Sequence, residues 1–409
     1  GRKGIRIYEY YGCKGWHVEY DCRDITMIGE TIIGGSIATF LYLLIKDMNP
    51  RYNDKDKIQH TFNNLNYKVK DQLPQLIKTN STDNSTTYTY SVPFGLVDDE
   101  KLNVLEKVLN KPVKISFTNQ KLHIKVYKEK LPDRIDYDWN KTESWTVPIG
   151  RTHEEMVYHD FDEIPHMTIA GMTRQGKTVL LKLIFAHLIN NHPNDVEFHI
   201  IDLKGGLEFN KYRKYKQVKS ISSYVNYAYK DVSYVLRYIK REMNNFKQND
   251  YTNILDTPIT TRKVIIVDEA AELTPAPHLS KEEKKSYQYC QYALAEIARI
   301  AGALGYRLIF ATQYPTADTL PRQIKQNSDA KISFRLPTEI ASRVAIDEQG
   351  AERLNNVGRA IYRTHEKYVL QVPSITDNDI KKHLKEHEVD VGSTGEKTTT
   401  RRTNLDEFR

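Results

Sequence analysis

The stretch IAGMTRQGKTVLL, at residues 169–181, decides the fold. It begins at the end of a short apolar run, residues 166–170, which predicts a buried strand. It ends in an apolar pattern, residues 179–184, that is typical of a helix packed on a sheet. The loop between them has the spacing Gly-x-x-x-x-Gly-Lys-Thr, which lets the backbone form a nest of N–H donors at the start of a helix. We therefore predict a binding site for a nucleoside triphosphate.

Each fixed residue of this loop has a chemical role in phosphate binding. The lysine, Lys177, reaches the β- and γ-phosphates, and the hydroxyl of Thr178 ligates Mg²⁺. A glycine-rich turn with a chance Lys-Thr pair is the alternative, and the order strand, loop, helix argues against it. The predicted triphosphate-binding residues are Gly171, Met172, Thr173, Arg174, Gln175, Gly176, Lys177, Thr178 and Val179.

A second apolar strand, Val264–Val267, ends in two acids that supply what hydrolysis needs besides phosphate binding. Asp268 is predicted to hold the Mg²⁺ together with Thr178, and Glu269 to orient or deprotonate the attacking water. Gln313, after another apolar strand, is predicted to sense the γ-phosphate. The predicted catalytic residues are therefore Lys177, Asp268, Glu269 and Gln313. A further segment, IDLKGG at residues 201–206, reads either as a functional loop or as an ordinary turn.

Composition indicates the number of domains, the charge of suitable partners and the redox compartment. The chain has 409 residues, enough for about two to three domains. Its 60 Lys and Arg against 53 Asp and Glu give a net charge of +7, which favours polyanions as partners or simply a solvated basic surface. The three cysteines show no zinc-ligand or disulfide spacing, which fits a reducing cytosol.

The pattern divides the chain into four parts. Residues 1–50 contain an apolar segment, 25–45, which as a helix would be about 30 Å long and could either cross a membrane or lie buried or at an interface. Residues 51–150 predict a small α/β accessory domain with a loop at 78–87 and a helix capped by Asp98. Residues 386–409 predict a disordered polar tail.

Residues 151–385 alternate strands and helices, which predicts an α/β domain with a mostly parallel central sheet covered on both faces. The predicted strands are 167–170, 198–203, 264–267 and 308–311. The predicted helices are 178–189, 223–246 and 287–303.

Residues 147–375 resemble the motor domain of FtsK/SpoIIIE-type DNA translocases, in particular the coupling proteins of conjugative elements. The resemblance implies a RecA-like P-loop ATPase that uses ATP and Mg²⁺, assembles as a homo-oligomeric ring, a hexamer, and moves DNA. It also implies a cytoplasmic motor with a relaxase and membrane conjugation proteins as partners. Lys325 and Arg343 match positions near DNA or the subunit boundary, although either also reads as a solvated surface charge. The stretches that carry the resemblance are Val147–Gly150, Asp160, Pro165–Gly171, Gly176–Thr178, Ile201–Lys204, Arg241–Met243, Val267–Glu269, Gly305–Pro315, Ile324–Asn327 and Ser342–Arg343.

The sequence departs from this family at several positions. Arg174-Gln175 stand where Gly-Ser is usual, and Tyr314 replaces a DNA-facing arginine. Gly302 occupies the usual position of an arginine that acts on the neighbouring subunit's nucleotide, and Arg299 or Arg307 would have to substitute for it.

We expect an ATP-driven DNA translocase, the coupling protein of a conjugative plasmid or integrative element. The alternatives are a protein-secreting ATPase of the same superfamily and a nucleotide-dependent membrane scaffold without robust hydrolysis. Replacing Lys177 by Ala is expected to abolish turnover and leave the fold largely intact.

Overall fold

The computed structural model describes residues 52–96, 100–142 and 144–389. The apolar segment 25–45, the Asp98 cap and the tail from residue 390 lie outside the described residues. Within the described ranges no helix is both long and apolar enough to cross a membrane. The chain forms two compact units, and the division falls between Lys128 and Glu129.

In its described residues, the smaller unit is an antiparallel sheet with two α-helices, and the strand order is β1-β2-β4-β3. Phe62, Tyr90 and Leu122 are fully buried in its core. Its elements are α1 (Asp54–Asn64), β1 (Gln75–Ser81), β2 (Ser85–Ser91), α2 (Leu105–Leu109), β3 (Val113–Thr118) and β4 (Lys121–Tyr127).

The predicted loop at 78–87 is wrong. Most of it belongs to β1 and β2, and only residues 82–84 turn between them. Every residue of β1 except Leu76 is exposed, so the strand carries no apolar alternation that would reveal it. Backbone hydrogen bonds to β2 hold β1 in place at the edge of the sheet.

The larger unit is built on a ten-stranded sheet with the order β6-β5-β14-β13-β12-β7-β11-β10-β8-β9. The six strands from β12 to β9 run parallel, and the other four pair antiparallel. The predicted mostly parallel α/β fold is confirmed. The strands are β5 (Thr146–Arg151), β6 (Met156–Asp160), β7 (Met167–Ala170), β8 (Val196–Asp202), β9 (Val218–Ser222), β10 (Arg262–Asp268), β11 (Tyr306–Thr312), β12 (Ala330–Phe334), β13 (Arg359–Arg363) and β14 (Lys367–Gln371).

Helices cover both faces of this sheet. Alternate residues of β10 enter different cores: Val264 and Ile266 pack in the core that contains α3, and Ile265 and Val267 in the core that contains α4 and α5. Each central strand is therefore apolar on both faces, as parallel strands require. The helices are α3 (Lys177–Asn191), α4 (Val225–Gln248), α5 (Lys281–Ile300), α6 (Arg322–Gln326), α7 (Glu339–Ile346) and α8 (Asp377–His383).

The larger unit begins before residue 150, where the sequence pattern suggested a boundary. Tyr137, Val147 and Ile149 are buried in the core around α3. The backbone of Tyr137 also donates a hydrogen bond to the carbonyl of Ser374. Residues after Lys128 thus belong to the larger unit. The sequence did not predict this boundary, because no helix pattern separates residues 129–145 from the strands before them.

Candidate nucleotide-binding site

Parallel strand pairing brings the predicted site residues to one edge of the larger sheet. Ala170 of β7 lies opposite Thr312 of β11, and Asp268 of β10 lies opposite Asp202 of β8. All four residues end their strands, so the segments that follow leave the sheet side by side. Parallel sheets bind ligands at this carboxyl edge.

The loop after β7 is packed too tightly for side chains at its two fixed glycines. A Cβ on Gly171 would lie 2.7 Å from the Cβ of Phe334, and a Cβ on Gly176 would lie 2.7 Å from the ring of the same phenylalanine. Gly176 also has a φ of +120° and is the N-cap of α3, so it offers no side chain to the helix N-terminus. The first N–H groups of α3 are therefore left for a ligand, and an anion is the ligand they suit.

The two residues that depart from the usual motif have different effects on this loop. Arg174 has a φ of 62°, a left-handed conformation that glycine adopts at lower cost. The carbonyl of Gln175 accepts a hydrogen bond of 2.9 Å from the N–H of Gly358. The loop is thereby fixed from the side of the antiparallel strands as well as from β7.

Lys177 connects this loop to the acid pair at the end of β10. Its ammonium group forms a hydrogen-bonded ion pair with Asp268 and lies 3.7 Å from Oε2 of Glu269. Lys177 is 3% exposed and Asp268 is 0% exposed, so the pair is removed from water. Such a pair stabilises only while both partners are present, and a phosphate group would compete with Asp268 for the lysine.

Glu269 is held in a strained position beside Gln313. Its φ of 63° is left-handed, which is uncommon for a residue other than glycine and typical of functional sites. Its Oε1 accepts a hydrogen bond of 3.1 Å from the N–H of Gln313. The side chain of Gln313 in turn accepts a hydrogen bond of 3.1 Å from the hydroxyl of Thr173, in the phosphate loop. Two of the predicted catalytic residues thus touch each other and the loop.

Lys204 is a site residue that sequence reasoning left undecided. Its Nζ lies 3.2 Å from Oε2 of Glu269. The buried carboxylate of Asp202 accepts backbone hydrogen bonds from Lys204, Glu208 and Phe209 and so fixes this loop. Burial raises the pKa of Asp202, and the nearby Asp268 adds to the effect. The Lys204 contact was not readable from sequence, because it depends on β8 being the neighbour of β10.

Comparison with known proteins shows what part of the larger unit is similar to. Residues 131–257 match the model of the FtsK/SpoIIIE family. The DNA translocase FtsK of Lactiplantibacillus plantarum is 27% identical over 263 residues, which are 59% of this chain and 32% of that protein. FtsK of Staphylococcus aureus strain COL is 28% identical over 268 residues, 61% of this chain and 32% of that protein. Residues 131–257 thus form an FtsK/SpoIIIE-type region.

Solved structures agree with this fold. The monomer of the pCW3 conjugation coupling protein TcpA with ATPγS aligns with a TM-score of 0.60 at 21% identity, over 82% of this chain and 99% of that one. EssC ATPases 2 and 3 from Geobacillus thermodenitrificans align with a TM-score of 0.53 at 13% identity, over 63% and 51% of the two chains. The resemblance predicted from sequence is confirmed. The chain spans about a third of the length of the curated relatives it matches.

Of the two arginines predicted to substitute for Gly302, one is buried within the larger unit. Arg307 is 2% exposed and forms an ion pair of 2.6 Å with Asp162 and a hydrogen bond of 2.7 Å with the carbonyl of Gly302. Arg299 is exposed and is paired with Glu296 on its own helix. Of the two, only Arg299 is placed to leave its present partner for another subunit.

The two predicted DNA-contact residues lie close together in the larger unit, and both make internal ion pairs. Lys325 is largely buried, pairs with Asp347 at 2.6 Å and donates to the carbonyl of Arg343. Arg343 is exposed and pairs with Glu339 at 2.8 Å. Their contact with DNA stays a prediction.

One carboxylate oxygen of the acid pair is free to ligate a cation. Oδ2 of Asp268 is buried and has no hydrogen-bond partner among the described residues, so one carboxylate oxygen is left to ligate a metal. The described part of the chain contains no group of three or more His, Cys, Asp or Glu side chains that could hold a metal alone. This donor set suits Mg²⁺, which is commonly bound by one or two protein oxygens together with substrate phosphates.

Proposed function

We propose that this protein is an ATP-driven DNA translocase that acts as the coupling protein of a conjugative plasmid or integrative element. The observation that carries the proposal is the buried contact of Lys177 with Asp268 and Glu269 at the end of a glycine loop and the start of a helix. This arrangement supports ATP binding and hydrolysis. The FtsK relatives support DNA as the cargo.

The residues divide the chemistry among them. On ATP binding, Lys177 exchanges Asp268 for the β- and γ-phosphates, and the N–H groups at the start of α3 bind phosphate oxygens. Asp268 and Thr178 would hold Mg²⁺, which when bound neutralises charge on the phosphates. Glu269 orients and deprotonates the attacking water. Gln313, bonded to both Glu269 and Thr173, transmits the state of the γ-phosphate.

We further propose a homo-oligomeric ring, a hexamer, in which each nucleotide is completed by a neighbouring subunit. Arg307 is paired internally with Asp162 and Gly302 has no side chain, so neither position offers an arginine to a neighbouring subunit's nucleotide. Arg299 of the adjacent subunit is the proposed substitute. A relaxase and membrane conjugation proteins are the proposed partners.

The test is the ATPase rate of the purified protein with and without duplex DNA at low and high salt. We expect stimulation by DNA that weakens as salt rises, because contacts to phosphates release counterions. Glu269→Gln should abolish turnover and retain ATP binding, and the exposed neighbour Glu272, changed in the same way, is the matched control. Full activity of Glu269→Gln would contradict the site assignment.

The second candidate function is protein transport, which the fold similarity to the EssC ATPases favours. Stimulation of turnover by a peptide or protein, with no effect of DNA, would support this function. No turnover under any condition would support the nucleotide-dependent scaffold instead.

A further inference from the structure

The outward face of α4 carries an unusual combination of side chains, which we name the α4 stripe: Tyr227, Lys230, Tyr234, Arg237, Tyr238 and Arg241. At 3.6 residues per turn these six positions fall within an arc of about 100° around the helix. The apolar residues of α4, such as Val232 and Ile239, point to the opposite side and are buried in the core. The stripe is thus a continuous exposed face.

The charges of the stripe are not neutralised. Lys230, Arg237 and Arg241 are exposed and make no ion pair with any residue in the described ranges. The acids of the same helix turn away from it, since Asp231 accepts a hydrogen bond from Ser222 and Glu242 pairs with Lys263. The stripe therefore presents three free cations and no carboxylate.

Aromatic rings separate these cations. Tyr227, Tyr234 and Tyr238 are 58%, 56% and 40% exposed. The rings of Tyr234 and Tyr238 stack with centroids 6.2 Å apart, and Lys263 lies 4.9 Å from the centroid of Tyr238. The rings are therefore ordered by their neighbours, and their hydroxyl groups remain available as hydrogen-bond donors.

We propose that the α4 stripe binds the sugar–phosphate backbone of duplex DNA, a proposal that rests on DNA being the cargo. Lysine, arginine and tyrosine are typical donors to phosphate oxygens. From Tyr227 to Arg241 the stripe is about 21 Å long, which matches roughly six base pairs of duplex. An apolar protein partner fits less well, because it would bury the three unpaired cations without supplying counter-charges.

The expected salt dependence of DNA binding follows from counterion release. Three phosphate contacts contribute about −2.7 to the slope of log affinity against log salt, at about −0.9 per contact. Between about 50 and 200 mM salt, this slope alone lowers the affinity roughly 40-fold. A protein that lacks the three cations should therefore show a slope smaller by about 2–3.

The experiment measures binding of the full chain to a short labelled duplex by fluorescence anisotropy over a salt series. The stripe variant combines Lys230→Gln, Arg237→Gln and Arg241→Gln. The matched control combines Lys381→Gln, Lys382→Gln and Lys385→Gln, which remove the same charge from exposed positions at and after α8. A third protein, with Arg237→Lys and Arg241→Lys, keeps the charge. Melting temperatures verify that each variant is folded.

We expect the stripe variant alone to lose affinity and salt slope, and the charge-preserving variant to bind like the wild type. Equal binding by the stripe variant and the α8 control would overturn the proposal and leave the proposed function standing. A wild type that binds no DNA but binds vesicles of anionic phospholipid through the stripe would overturn it in favour of a membrane contact. Translocation of DNA would then fall as well, which the ATPase test detects separately.

Discussion

Replacing Lys177 by Met should destabilise the nucleotide-free protein as well as abolish ATP turnover. The sequence alone suggested that the fold would survive loss of this lysine largely intact. In the structure, however, Lys177 is the ion-pair partner of Asp268, which is 0% exposed. Without the lysine, a buried carboxylate is left with neither a counter-charge nor water.

The expected loss is large because one member of a buried pair remains. Removing one partner of a buried ion pair typically costs about 3–5 kcal/mol. In a unit of this size that corresponds to roughly 6–20 °C in melting temperature. Asp268→Asn should cost less, since Lys177 still has Oε2 of Glu269 at 3.7 Å. Combining Asp268→Asn with Lys177→Met removes the unpaired charge and should restore most of the lost stability.

The assay is urea unfolding without nucleotide, followed by tryptophan fluorescence. Two of the three tryptophans, Trp139 and Trp145, lie in the larger unit and report its transition. Lys285→Met, which breaks an exposed pair with Glu282, is the control and should cost at most about 1 kcal/mol. A Lys177→Met protein as stable as this control, or no recovery in the double variant, would refute the reasoning.

Two other residues give separate predictions. Lys204→Met should lower kcat roughly 10- to 100-fold, because it removes the ion pair with Glu269, and KM for ATP should change little. Lys204→Arg should restore the rate, and steady-state kinetics measures both variants. His159 is buried, which lowers its pKa to about 3. Below the ordinary pKa near 6.5 the unfolded chain binds the additional proton, so stability should fall by about 3 kcal/mol per such histidine between pH 7 and pH 4.5. His159→Gln should make the free energy of unfolding, measured by urea titration at several pH values, depend less on pH. The same pH dependence in the variant and the wild type would contradict this prediction.

The parts of the site that were readable from sequence are those with fixed local spacing. The phosphate loop follows β7 and precedes α3 as predicted, Asp268 ends β10, and Glu269 follows that strand directly. These elements could be predicted because the strands are continuous apolar runs bounded by glycines or acids. The predicted helix at 287–303 starts earlier, at Lys281, because the polar first turn is held by the Ser280 capping box.

The rest depended on pairings between distant residues. Asp162 binds both Arg262 and Arg307, two arginines that follow it by 100 and 145 positions. No local pattern in the sequence indicates such a cluster, so Arg307 was one of two candidates for the trans arginine. The antiparallel strands were missed for a related reason: β13 begins and ends with arginine and has only three buried residues between them.

The antiparallel part of the sheet also bears on how the site works. Phe334, at the end of β12, lies beneath both fixed glycines of the phosphate loop, and Gly358 donates its N–H to Gln175 within it. The side chain of Gln371, from β14, in turn donates to the carbonyl of Val357. Any shift of the loop when Lys177 changes partner from Asp268 to phosphate must therefore move these contacts or break them. Because packed interiors are poorly compressible, we expect the shift to pass into β13 and β14 instead of being absorbed at the loop.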